Sequence, residues 1–356
     1  MTVESIASKV RSGERISGDE ALHLWREAPL WLLGELAVGV KRRKSGDKVF
    51  YNRNFHVEPT NICLFDCRFC SYRRAVGEPG AWDRSTEEIL QEVEARRGSG
   101  ATEVHIVGGV HPERDLYHYL DMIRRIKALA PELCVKAFTA VELHYMIRRA
   151  GLTLGEGLAL LREAGMESIP GGGAEIFDEE IRRRICPSKC SAEEWLALHD
   201  AAHRMGIDSN ATMLYGHIES LEHRVDHLLR LRAQQDATGG FNAFIPLKFR
   251  AQHNAMAELG ETSVVDDMRT LAISRLLLDN VPHVKAYWVM YGKEVAELAL
   301  SFGADDIDGT IDDSTKIYSM AGAEEQKPRL TVAEIERMCA AAGCVAVERD
   351  THYNEL

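Results

Sequence analysis

Three of the chain's eight cysteines lie within one short segment, and this clustering constrains the fold more than any other feature of the sequence. Cys63, Cys67 and Cys70 have the spacing C-x3-C-x2-C and follow an apolar run at residues 54–59 that is typical of a β-strand. Three thiolates can bind three irons of a 4Fe–4S cluster and leave the fourth iron open, whereas clusters that only transfer electrons use four cysteines. The spacing therefore predicts a metal cluster on the loop after a strand, with one iron open to a ligand that is not protein.

Two other interpretations of the triplet are open at this point. A structural zinc site with His56 or His111 as fourth ligand is disfavoured, because such sites normally pair two knuckles and no second pair is present. Three unrelated core cysteines are the other possibility, since free cysteine is often buried. Arg68, Arg73 and Arg74 argue against it, because cationic neighbours favour the thiolate form.

Short apolar runs alternate with helical segments from about residue 50 onward. Capping boxes that begin at Ser85 and Ser191 mark the starts of two of these helices. Eight such units in order predict an α/β fold, namely a (β/α)8 barrel. An open doubly wound sheet is the alternative, but its usual G-x-G-x-x-G turn is absent after the first strand. The candidate strands are residues 54–59, 104–107, 133–138, 168–170, 207–213, 243–246, 284–289 and 306–307.

Two further segments flank the barrel. Residues 1–48 are expected to form a helical extension packed on the barrel, because a capping box at Ser17 is followed by an apolar stripe. Residues 49–325 are assigned to the barrel itself. Residues 326–356 are expected to add a helix, which begins after Thr331, and a short strand, both packed on the barrel.

The charge and hydropathy of the chain exclude several classes of partner. The net charge is −12, which disfavours unspecific binding to nucleic acids and to anionic membranes. No run of about 18 or more apolar residues is present, so we expect no transmembrane helix. The N-terminal residues are charged throughout and do not resemble a signal peptide, so we expect the protein to be cytoplasmic.

The cysteine segment resembles the signature of the radical S-adenosylmethionine (SAM) superfamily, C-x3-C-x-Φ-C, in which Φ is aromatic and is Phe69 here. The resemblance implies a barrel whose first strand leads into the cysteine loop, with Cys63, Cys67 and Cys70 as cluster ligands. It also implies that the open iron chelates the amino and carboxylate groups of SAM, which serves as co-substrate. One electron then splits SAM into methionine and a 5′-deoxyadenosyl radical.

The same resemblance implies a set of SAM-binding residues. A Gly-Gly turn follows the second candidate strand, as in the family, although Val110 stands where the family usually has an acid. Three glycines follow the fourth strand and permit a ligand to approach the backbone. The plain alternatives are an ordinary turn for the pair and, for the three glycines, a strand-to-helix turn with an acid at the helix start. The implied SAM contacts are Phe69, Tyr72, Gly108, Gly109, Gly172 and Glu175.

A narrower resemblance covers nearly the whole chain. The chain is similar to a group that contains the two radical enzymes of the futalosine route to menaquinone and the synthases of the deazaflavin cofactor. Within it, the chain most resembles the enzyme that adds the adenosyl radical to 3-((1-carboxyvinyl)oxy)benzoate, with aryl migration and decarboxylation. Pro59 and Leu247 depart from the pattern of the cyclase of the same route; the cyclase and the deazaflavin-cofactor synthases are the alternatives. The matching segments are VGGVHP (107–112), SIPGGGAEIF (168–177), ATMLYGHIE (211–219), DDIDGT (305–310), HVEPTNICLFDCRFCSYRR (56–74), KAFTAVELHYM (136–146) and FIPLKFR (244–250).

The substrate implied by this resemblance carries two carboxylates, so an acidic chain must supply local cations or oriented donors for it. In a barrel these groups belong at the carboxyl ends of the strands. Arg250 and His217 are the first candidates, although a surface ion pair and a structural role, respectively, explain them too. Cys186 and Cys190 repeat a C-x3-C spacing, and we interpret them as structural. Further substrate candidates are Lys248, Thr139, Glu142 and His111.

The resemblance implies two partners, a small-molecule substrate and a reductant such as flavodoxin or ferredoxin. Neither nucleic acid nor a membrane is expected. A different class is also open, namely an iron–sulfur redox protein that never cleaves SAM. Formation of 5′-deoxyadenosine by the reduced protein separates the two classes.

Overall fold

Parallel β-strands form the centre of the molecule. The computed structural model describes residues 1–312, 315–322 and 327–356. Within these ranges the strands are β1 (Lys48–Asn52), β2 (Asn54–Val57), β3 (Glu103–Ile106), β4 (Cys134–Ala137), β5 (Met166–Ile169), β6 (Asp208–Tyr215), β7 (Phe241–Lys248), β8 (His283–Val284), β9 (Asp306–Gly309) and β10 (Val345–Glu348).

Helices connect and cover the strands. Many helices begin after a residue whose side chain accepts a hydrogen bond from the backbone N–H of the third helical residue. The sequence predicts such caps at Ser17, Ser85, Ser191 and Thr331, and the structure has them there. The α-helices are α1 (Val3–Arg11), α2 (Gly18–Glu27), α3 (Leu30–Ser45), α4 (Thr86–Ala95), α5 (Leu116–Leu129), α6 (Ala140–Arg149), α7 (Leu154–Ala164), α8 (Glu179–Ile185), α9 (Ala192–Arg204), α10 (Leu221–Thr238), α11 (Val264–Leu277), α12 (Trp288–Tyr291), α13 (Lys293–Ala299), α14 (Ile317–Met320) and α15 (Val332–Ala341), with short 3-10 helices at Ala257–Leu259 and Leu300–Phe302.

Seven strands form one sheet in chain order, from β2 to β8, and every neighbouring pair is parallel. Each connection between neighbours contains at least one helix, because a parallel pair needs a crossover. A second parallel sheet has the order β10-β1-β9, and a single bridge between Lys285 and Asp306 joins it to the first. The arrangement is a partial (β/α)8 barrel, which confirms the predicted fold class.

Two details of the strand prediction need correction. The sequence predicts one strand over residues 284–289, but β8 ends at Val284 and Trp288–Tyr291 forms helix α12. A short apolar run does not reveal its periodicity, so a buried strand and a buried helical turn look alike in sequence. The sequence pattern also misses β1, which pairs only with strands from the far end of the chain.

The N-terminal helices pack on the outside of the barrel, against α10 and α11. Helix α3 buries Leu33, Leu36 and Val40, the apolar stripe that the sequence predicts. Arg269 of α11 donates a hydrogen bond to the Trp25 carbonyl (2.9 Å) and so joins the two layers. No helix in the described part of the chain is long and apolar enough to cross a membrane.

The C-terminal residues close the amino-terminal end of the barrel. Thr351 Oγ1 donates to the Glu103 carboxylate (2.7 Å) at the start of β3. Arg349 forms an ion pair with Asp306 (2.7 Å) at the start of β9, and both side chains are fully buried. The Tyr353 hydroxyl also donates to Asp306 (2.7 Å). A charge buried this deeply depends on its partner, so the C-terminal residues stabilise the floor of the barrel.

Replacing Arg349 by methionine should lower the free energy of unfolding by about 3–5 kcal/mol, because Asp306 then keeps a buried charge without its partner. Urea denaturation followed by circular dichroism measures the change. The control is Arg42→Met, which breaks an exposed ion pair with Asp47 and should change stability little. Equal stability of the two variants would contradict the role of the buried pair.

Candidate active site

The three cysteines of the triplet lie on the loop after β2, and all are free, half-buried thiols. Backbone hydrogen bonds fold this loop, residues 60–74, back on itself. The N–H of Cys63 donates to the Arg74 carbonyl (3.0 Å), and the N–H of Arg74 donates to the Asn61 carbonyl (2.9 Å). This cysteine loop therefore presents its thiols from one closed segment at the carboxyl end of the first barrel strand.

The surroundings of the thiols fit a set of metal-binding thiolates. The N–H of Val110 donates to Cys63 Sγ (3.3 Å), and hydrogen bonds of this kind tune the sulfur ligands of iron–sulfur clusters. Burial raises the pKa of the Cys63 and Cys67 thiols, and the Lys189 ammonium opposes this shift. A nearby cation favours the thiolate form, which is the form that binds iron. The three residues thus fit a 4Fe–4S cluster.

The zinc alternative is not supported. Among the residues that the structure describes, no group of three or more His, Cys, Asp or Glu side chains is placed to hold a single metal ion. His111 Nδ1 accepts a hydrogen bond from the Glu113 N–H (3.1 Å), and His56 lines a cavity inside the barrel. The two histidines considered as fourth ligands therefore have other surroundings.

Lys189 connects the cysteine loop to the segment after β5. Its ammonium lies 5.2 Å from the centre of the Phe69 ring and 2.5 Å from the Glu175 carboxylate. The sequence predicts Glu175 at a helix start, and this is wrong, because α8 begins at Glu179 with Asp178 as its N-cap. Glu175 instead has a φ of +52°, a left-handed backbone that is uncommon outside glycine. Such strain is concentrated at functional sites, where the surrounding structure enforces it.

Tyr72, one of the SAM contacts that the resemblance implies, is a buried residue of the cysteine loop. Its hydroxyl donates to the Thr60 carbonyl (3.1 Å), and its ring packs edge-on against Trp82. Burial raises the pKa of Tyr72 well above its ordinary value. In this position the side chain supports the backbone of the loop.

The Gly-Gly turn after β3 packs directly on the cysteine loop. The N–H of Gly109 donates to the Thr60 carbonyl (2.7 Å). A Cβ at Gly108 would lie 2.8 Å from the same oxygen, and a Cβ at Gly109 would overlap the Ile62 carbonyl. Only glycine permits two backbones to approach this closely. Packing therefore explains both glycines, while Gly108 also lines the cavity described below.

A carboxylate from another element holds this turn, although no acid follows it in sequence. Glu142 Oε1 accepts a hydrogen bond from the Gly108 N–H (3.1 Å). Its other oxygen accepts from the N–H and the hydroxyl of Thr139 (2.8 and 2.7 Å), which completes the capping box of α6. Burial raises the pKa of Glu142 to about 7. The structure thus uses both residues to position the turn, and of the two only Thr139 lines the cavity.

A cavity of about 180 Å³ lies inside the barrel, beside the Gly-Gly turn. Gly172 borders it opposite Thr139, where a Cβ would lie 2.8 Å from the Thr139 methyl group. The lining of the cavity combines apolar and polar residues. The apolar residues include Val107, Ile245, Leu247, Tyr287, Ile317 and Tyr318, and the polar ones include His56, Glu103, His105, Lys136, Asn210, Lys285 and Asp308.

A row of polar side chains crosses the inner face of the sheet. His56, His105 and Lys136 are register partners on β2, β3 and β4, and the two imidazole centroids are 4.4 Å apart. Burial lowers the pKa of His56 to about 4 and that of His105 well below its ordinary value, so both rings are neutral near pH 7. Among the described residues, His105 Nε2 is buried without a hydrogen-bond partner, so this nitrogen is available to bond a molecule in the cavity.

The candidates predicted from the sequence do not include this polar row, although the sequence carries a signal for it. Parallel strands that are buried on both faces normally read as continuous apolar runs. Each of the three strands instead carries a His or Lys between apolar residues. A polar side chain inside such a strand indicates an internal partner or a cavity, because burying it alone is costly.

Acidic residues pair with the two lysines of the cavity. Lys136 Nζ lies 2.8 Å from the Glu103 carboxylate, and Lys285 Nζ lies 2.5 Å from the Asp308 carboxylate. Burial alone would raise the pKa of Glu103, but Lys136 and Arg349 hold it well below its ordinary value. Each ammonium has three N–H donors, so both lysines keep donors for a bound anion.

Three substrate candidates of the sequence, Arg250, His217 and Lys248, do not line the cavity. Their polar groups are used within the protein. Arg250 forms an ion pair with Glu261 (3.3 Å), the alternative that the sequence left open, and donates to two backbone carbonyls (3.3 Å each). Lys248 pairs with Asp267 (2.8 Å), and His217 contacts Glu219 (3.0 Å). The His217 side chain is fully buried. The sequence could not indicate the two carbonyl partners of Arg250, because Met290 and Gly322 follow 40 and 72 positions later in the chain.

A C-terminal segment, residues 315–322, covers the cavity. Ile317 and Tyr318 contribute to the lining from this side. Glu58, which follows β2, accepts a hydrogen bond from the Thr315 hydroxyl and another from the next backbone N–H (2.9 Å each). Burial raises the pKa of Glu58 to about 7. The sequence does not indicate this position, and the contacts place residues 315–318 beside the cavity.

Comparison with known proteins agrees with this geometry. Residues 57–231 match the radical SAM superfamily, and residues 238–356 match the CofH/MqnC C-terminal region. An aminodeoxyfutalosine synthase of Thermus thermophilus is 46% identical over 99% of this chain and 95% of its own length.

Two relatives with other names are less similar. A 5-amino-6-(D-ribitylamino)uracil–L-tyrosine 4-hydroxyphenyl transferase of Methanosarcina mazei is 37% identical over 99% of this chain and 92% of its own. A cyclic dehypoxanthine futalosine synthase of Streptomyces coelicolor is 34% identical over 99% of this chain and 89% of its own. Among solved structures, methylornithine synthase superposes with a TM-score of 0.77 over 96% of each chain at 17% identity, which supports the fold alone.

Replacing Gly109 by alanine should displace the cysteine loop, because the new methyl group overlaps the Ile62 carbonyl. We expect a cost of about 1–3 kcal/mol in stability and a loss of bound iron after reconstitution. Iron content and thermal unfolding measure the two effects. The control is Gly155→Ala, since a Cβ at that helical position meets nothing within 4 Å. If both variants retain the same iron, the contact does not position the loop.

Proposed function

The chain belongs to the radical SAM superfamily, in the group of the futalosine-pathway enzymes, and we propose that it is an aminodeoxyfutalosine synthase. One observation carries the proposal, namely the 46% identity to a relative of that name over nearly the full length of both chains. The cysteine loop beside a covered, partly aromatic cavity suits such an activity.

The proposed substrates are SAM and 3-((1-carboxyvinyl)oxy)benzoate. The 5′-deoxyadenosyl radical adds to the enol-ether double bond, the aryl group migrates, and a carboxylate leaves as carbon dioxide or bicarbonate with return of one electron. The products are 6-amino-6-deoxyfutalosine and methionine. A 4Fe–4S cluster held by Cys63, Cys67 and Cys70 would supply the electron that cleaves SAM. The proposed SAM contacts remain Phe69, Tyr72, Gly108, Gly109, Gly172 and Glu175.

We place the aryl enol ether in the barrel cavity. Tyr287 and Tyr318 offer aromatic surface to its ring, while Lys136, Lys285 and His105 offer donors to its carboxylates. The covering segment keeps water away from the reacting atoms. Thr139 can touch the substrate from the lining, whereas Arg250, His217, Lys248, Glu142 and His111 would act by positioning their neighbours.

The proposal also includes a reductant and a location. A low-potential donor such as flavodoxin or ferredoxin would supply the electron, and such donors are cytoplasmic. We also propose the division into a helical extension (1–48), the barrel (49–325) and a C-terminal extension (326–356). The match to the CofH/MqnC C-terminal region covers residues 238–356 and so runs across the last of these boundaries.

The runner-up activities are those of the two other named relatives, at 37% and 34% identity. The alternative without SAM cleavage is an iron–sulfur protein that only transfers electrons. With SAM and the aryl enol ether, either runner-up predicts 5′-deoxyadenosine without the coupled product, and the iron–sulfur protein predicts no SAM cleavage.

Anaerobic incubation of reconstituted, dithionite-reduced protein with SAM and 3-((1-carboxyvinyl)oxy)benzoate, read by mass spectrometry, tests the proposal. We expect 6-amino-6-deoxyfutalosine that depends on the aryl substrate, and no SAM cleavage when Cys63, Cys67 or Cys70 is replaced by alanine. Cys344→Ala, at a half-buried thiol outside the cysteine loop, is the control. Formation of 5′-deoxyadenosine without the coupled product would remove the substrate assignment, and no SAM cleavage at all would remove the enzyme class.

His105→Leu should raise the KM for the aryl substrate by about tenfold or more, since a hydrogen bond to a charged group contributes about 1.5–3 kcal/mol. His105→Gln keeps a donor and should recover part of the affinity. SAM cleavage without the aryl substrate should remain in both variants, which separates substrate binding from cluster assembly. An unchanged KM in His105→Leu would contradict the placement of the carboxylates.

A further inference from the structure

Residues 349–353 follow β10 and form a turn under the barrel cavity, which we call the C-terminal turn. The Asp350 carboxylate stabilises this turn, because it accepts hydrogen bonds from two backbone N–H groups that follow it (2.8 and 2.9 Å). The Arg349 and Thr351 side chains are buried, whereas that of His352 is exposed. The turn therefore brings two polar side chains into the interior of the protein.

Thr351 and Lys136 contact the same oxygen of the Glu103 carboxylate. Oε2 of Glu103 accepts a hydrogen bond from the Thr351 hydroxyl (2.7 Å) and lies 2.8 Å from Lys136 Nζ. In the sheet Lys136 is the register partner of His105, whereas Glu103 is the register partner of Cys134. The lysine side chain therefore reaches back toward the amino end of the strands to meet Glu103. The position of this carboxylate thus determines the position of the ammonium group.

The C-terminal turn bonds a second buried acid, Asp306. Oδ2 of Asp306 pairs with Arg349 and accepts a hydrogen bond from the Tyr353 hydroxyl (2.7 Å each). Its other oxygen accepts a hydrogen bond from the N–H of Asp308 (2.5 Å). Lys285 Nζ lies 3.8 Å from Asp306 but only 2.5 Å from the Asp308 carboxylate. The bonds from the turn therefore leave the Lys285 ammonium group beside Asp308, in the lining of the cavity.

Donors from the C-terminal turn reduce the competition of these acids for the lysine N–H groups. An ionised carboxylate has about four lone-pair sites, and an ammonium group has three donors. An unfilled site on a buried carboxylate is costly, so an acid without other donors bonds more of the lysine N–H groups. Thr351, Arg349 and Tyr353 fill some of these sites. More lysine donors then remain for a ligand in the cavity.

We propose that the C-terminal turn is part of the substrate site, in which Thr351 and Arg349 are positioning residues. They orient the ammonium groups of Lys136 and Lys285 toward the carboxylates of an aromatic dicarboxylate in the cavity. The inference rests on the proposed function, which supplies this substrate. Neither Thr351 nor Arg349 lines the cavity, so each acts through the acid that it contacts.

Removal of the Thr351 hydroxyl tests the proposal on the reconstituted holoenzyme. Thr351→Val keeps the shape of the side chain, and Thr351→Ser keeps the donor. The matched control is Thr238→Val, because that hydroxyl also lies 2.7 Å from a side-chain partner, His203 Nδ1, but outside the cavity. Calorimetry without reductant gives the Kd for 3-((1-carboxyvinyl)oxy)benzoate. The dithionite-driven reaction gives KM and kcat, and urea denaturation gives the stability of each variant.

We expect Thr351→Val to raise the Kd and the KM by about threefold to tenfold, because the Glu103 carboxylate loses one hydrogen bond and competes more strongly for Lys136. Its kcat should not change, since Thr351 does not contact the reacting atoms. Thr351→Ser should bind the substrate as the unaltered enzyme does. Thr238→Val should keep the Kd of the unaltered enzyme, whatever its stability. A purely structural role of the turn predicts instead that Thr351→Val also keeps this Kd.

Tyr353→Phe is a second test that does not depend on the folding of Thr351→Val. It removes one donor from Asp306 and should also raise the Kd. An unchanged Kd in a folded Thr351→Val variant would overturn the proposal, as would a Thr351→Ser variant that binds as weakly as Thr351→Val. If Thr351→Val does not fold, an unchanged Kd in Tyr353→Phe overturns it.

The unaltered enzyme separates this proposal from the proposed function. If it does not bind the aromatic dicarboxylate, both are overturned. If it binds the compound but forms no 6-amino-6-deoxyfutalosine, the result counts against the proposed function, and the Kd values of the variants still decide the role of the C-terminal turn.

Discussion

A close contact between two backbones determines where the cysteine loop lies. The N–H of Gly109 donates to the Thr60 carbonyl, and no side chain fits between the Gly-Gly turn and the loop. The N–H of Gly108 in this turn donates to Glu142 at the start of α6, and the N–H of Val110, the next residue after the turn, donates to Cys63 Sγ. The loop after β2, the turn after β3 and the start of α6 must therefore pack together to fix the position of the thiols. The strained Glu175 and its ion pair with Lys189 place the segment after β5 against the same loop.

Two features allow polar side chains to be buried around the cavity. The interior lysines are paired with carboxylates, so their charges are balanced without solvent. The interior histidines are neutral, because burial lowers their pKa values. An anionic ligand in this cavity meets several donors and a small net charge, so its binding depends on hydrogen-bond geometry more than on long-range attraction. This explains how an acidic chain can accommodate an acidic substrate of the proposed kind.

The parts of the structure that local patterns determine could be predicted from the sequence, and the parts that depend on distant partners could not. The capping boxes at Ser17, Ser85, Ser191 and Thr331 are local and appear at the predicted helix starts. The triplet spacing likewise identified the cysteine loop. Arg250 is a polar residue after a strand in the sequence, and only the fold shows that backbone carbonyls from two other segments occupy its guanidinium. The register of neighbouring strands also depends on distant partners. Alternation within one strand cannot show that His56, His105 and Lys136 lie side by side.

The pairing of β1 has a consequence for the order in which the protein is assembled. This strand leads directly into β2 and the cysteine loop, yet its hydrogen-bond partners are β9 and β10. Contacts between the two ends of a chain form slowly, because a long loop must close before they contribute any stability. During synthesis, β1 therefore has unpaired edges until nearly the whole chain has left the ribosome. The strand that leads into the cysteine loop therefore reaches its final pairing late, only after the residues of β10 have been synthesised.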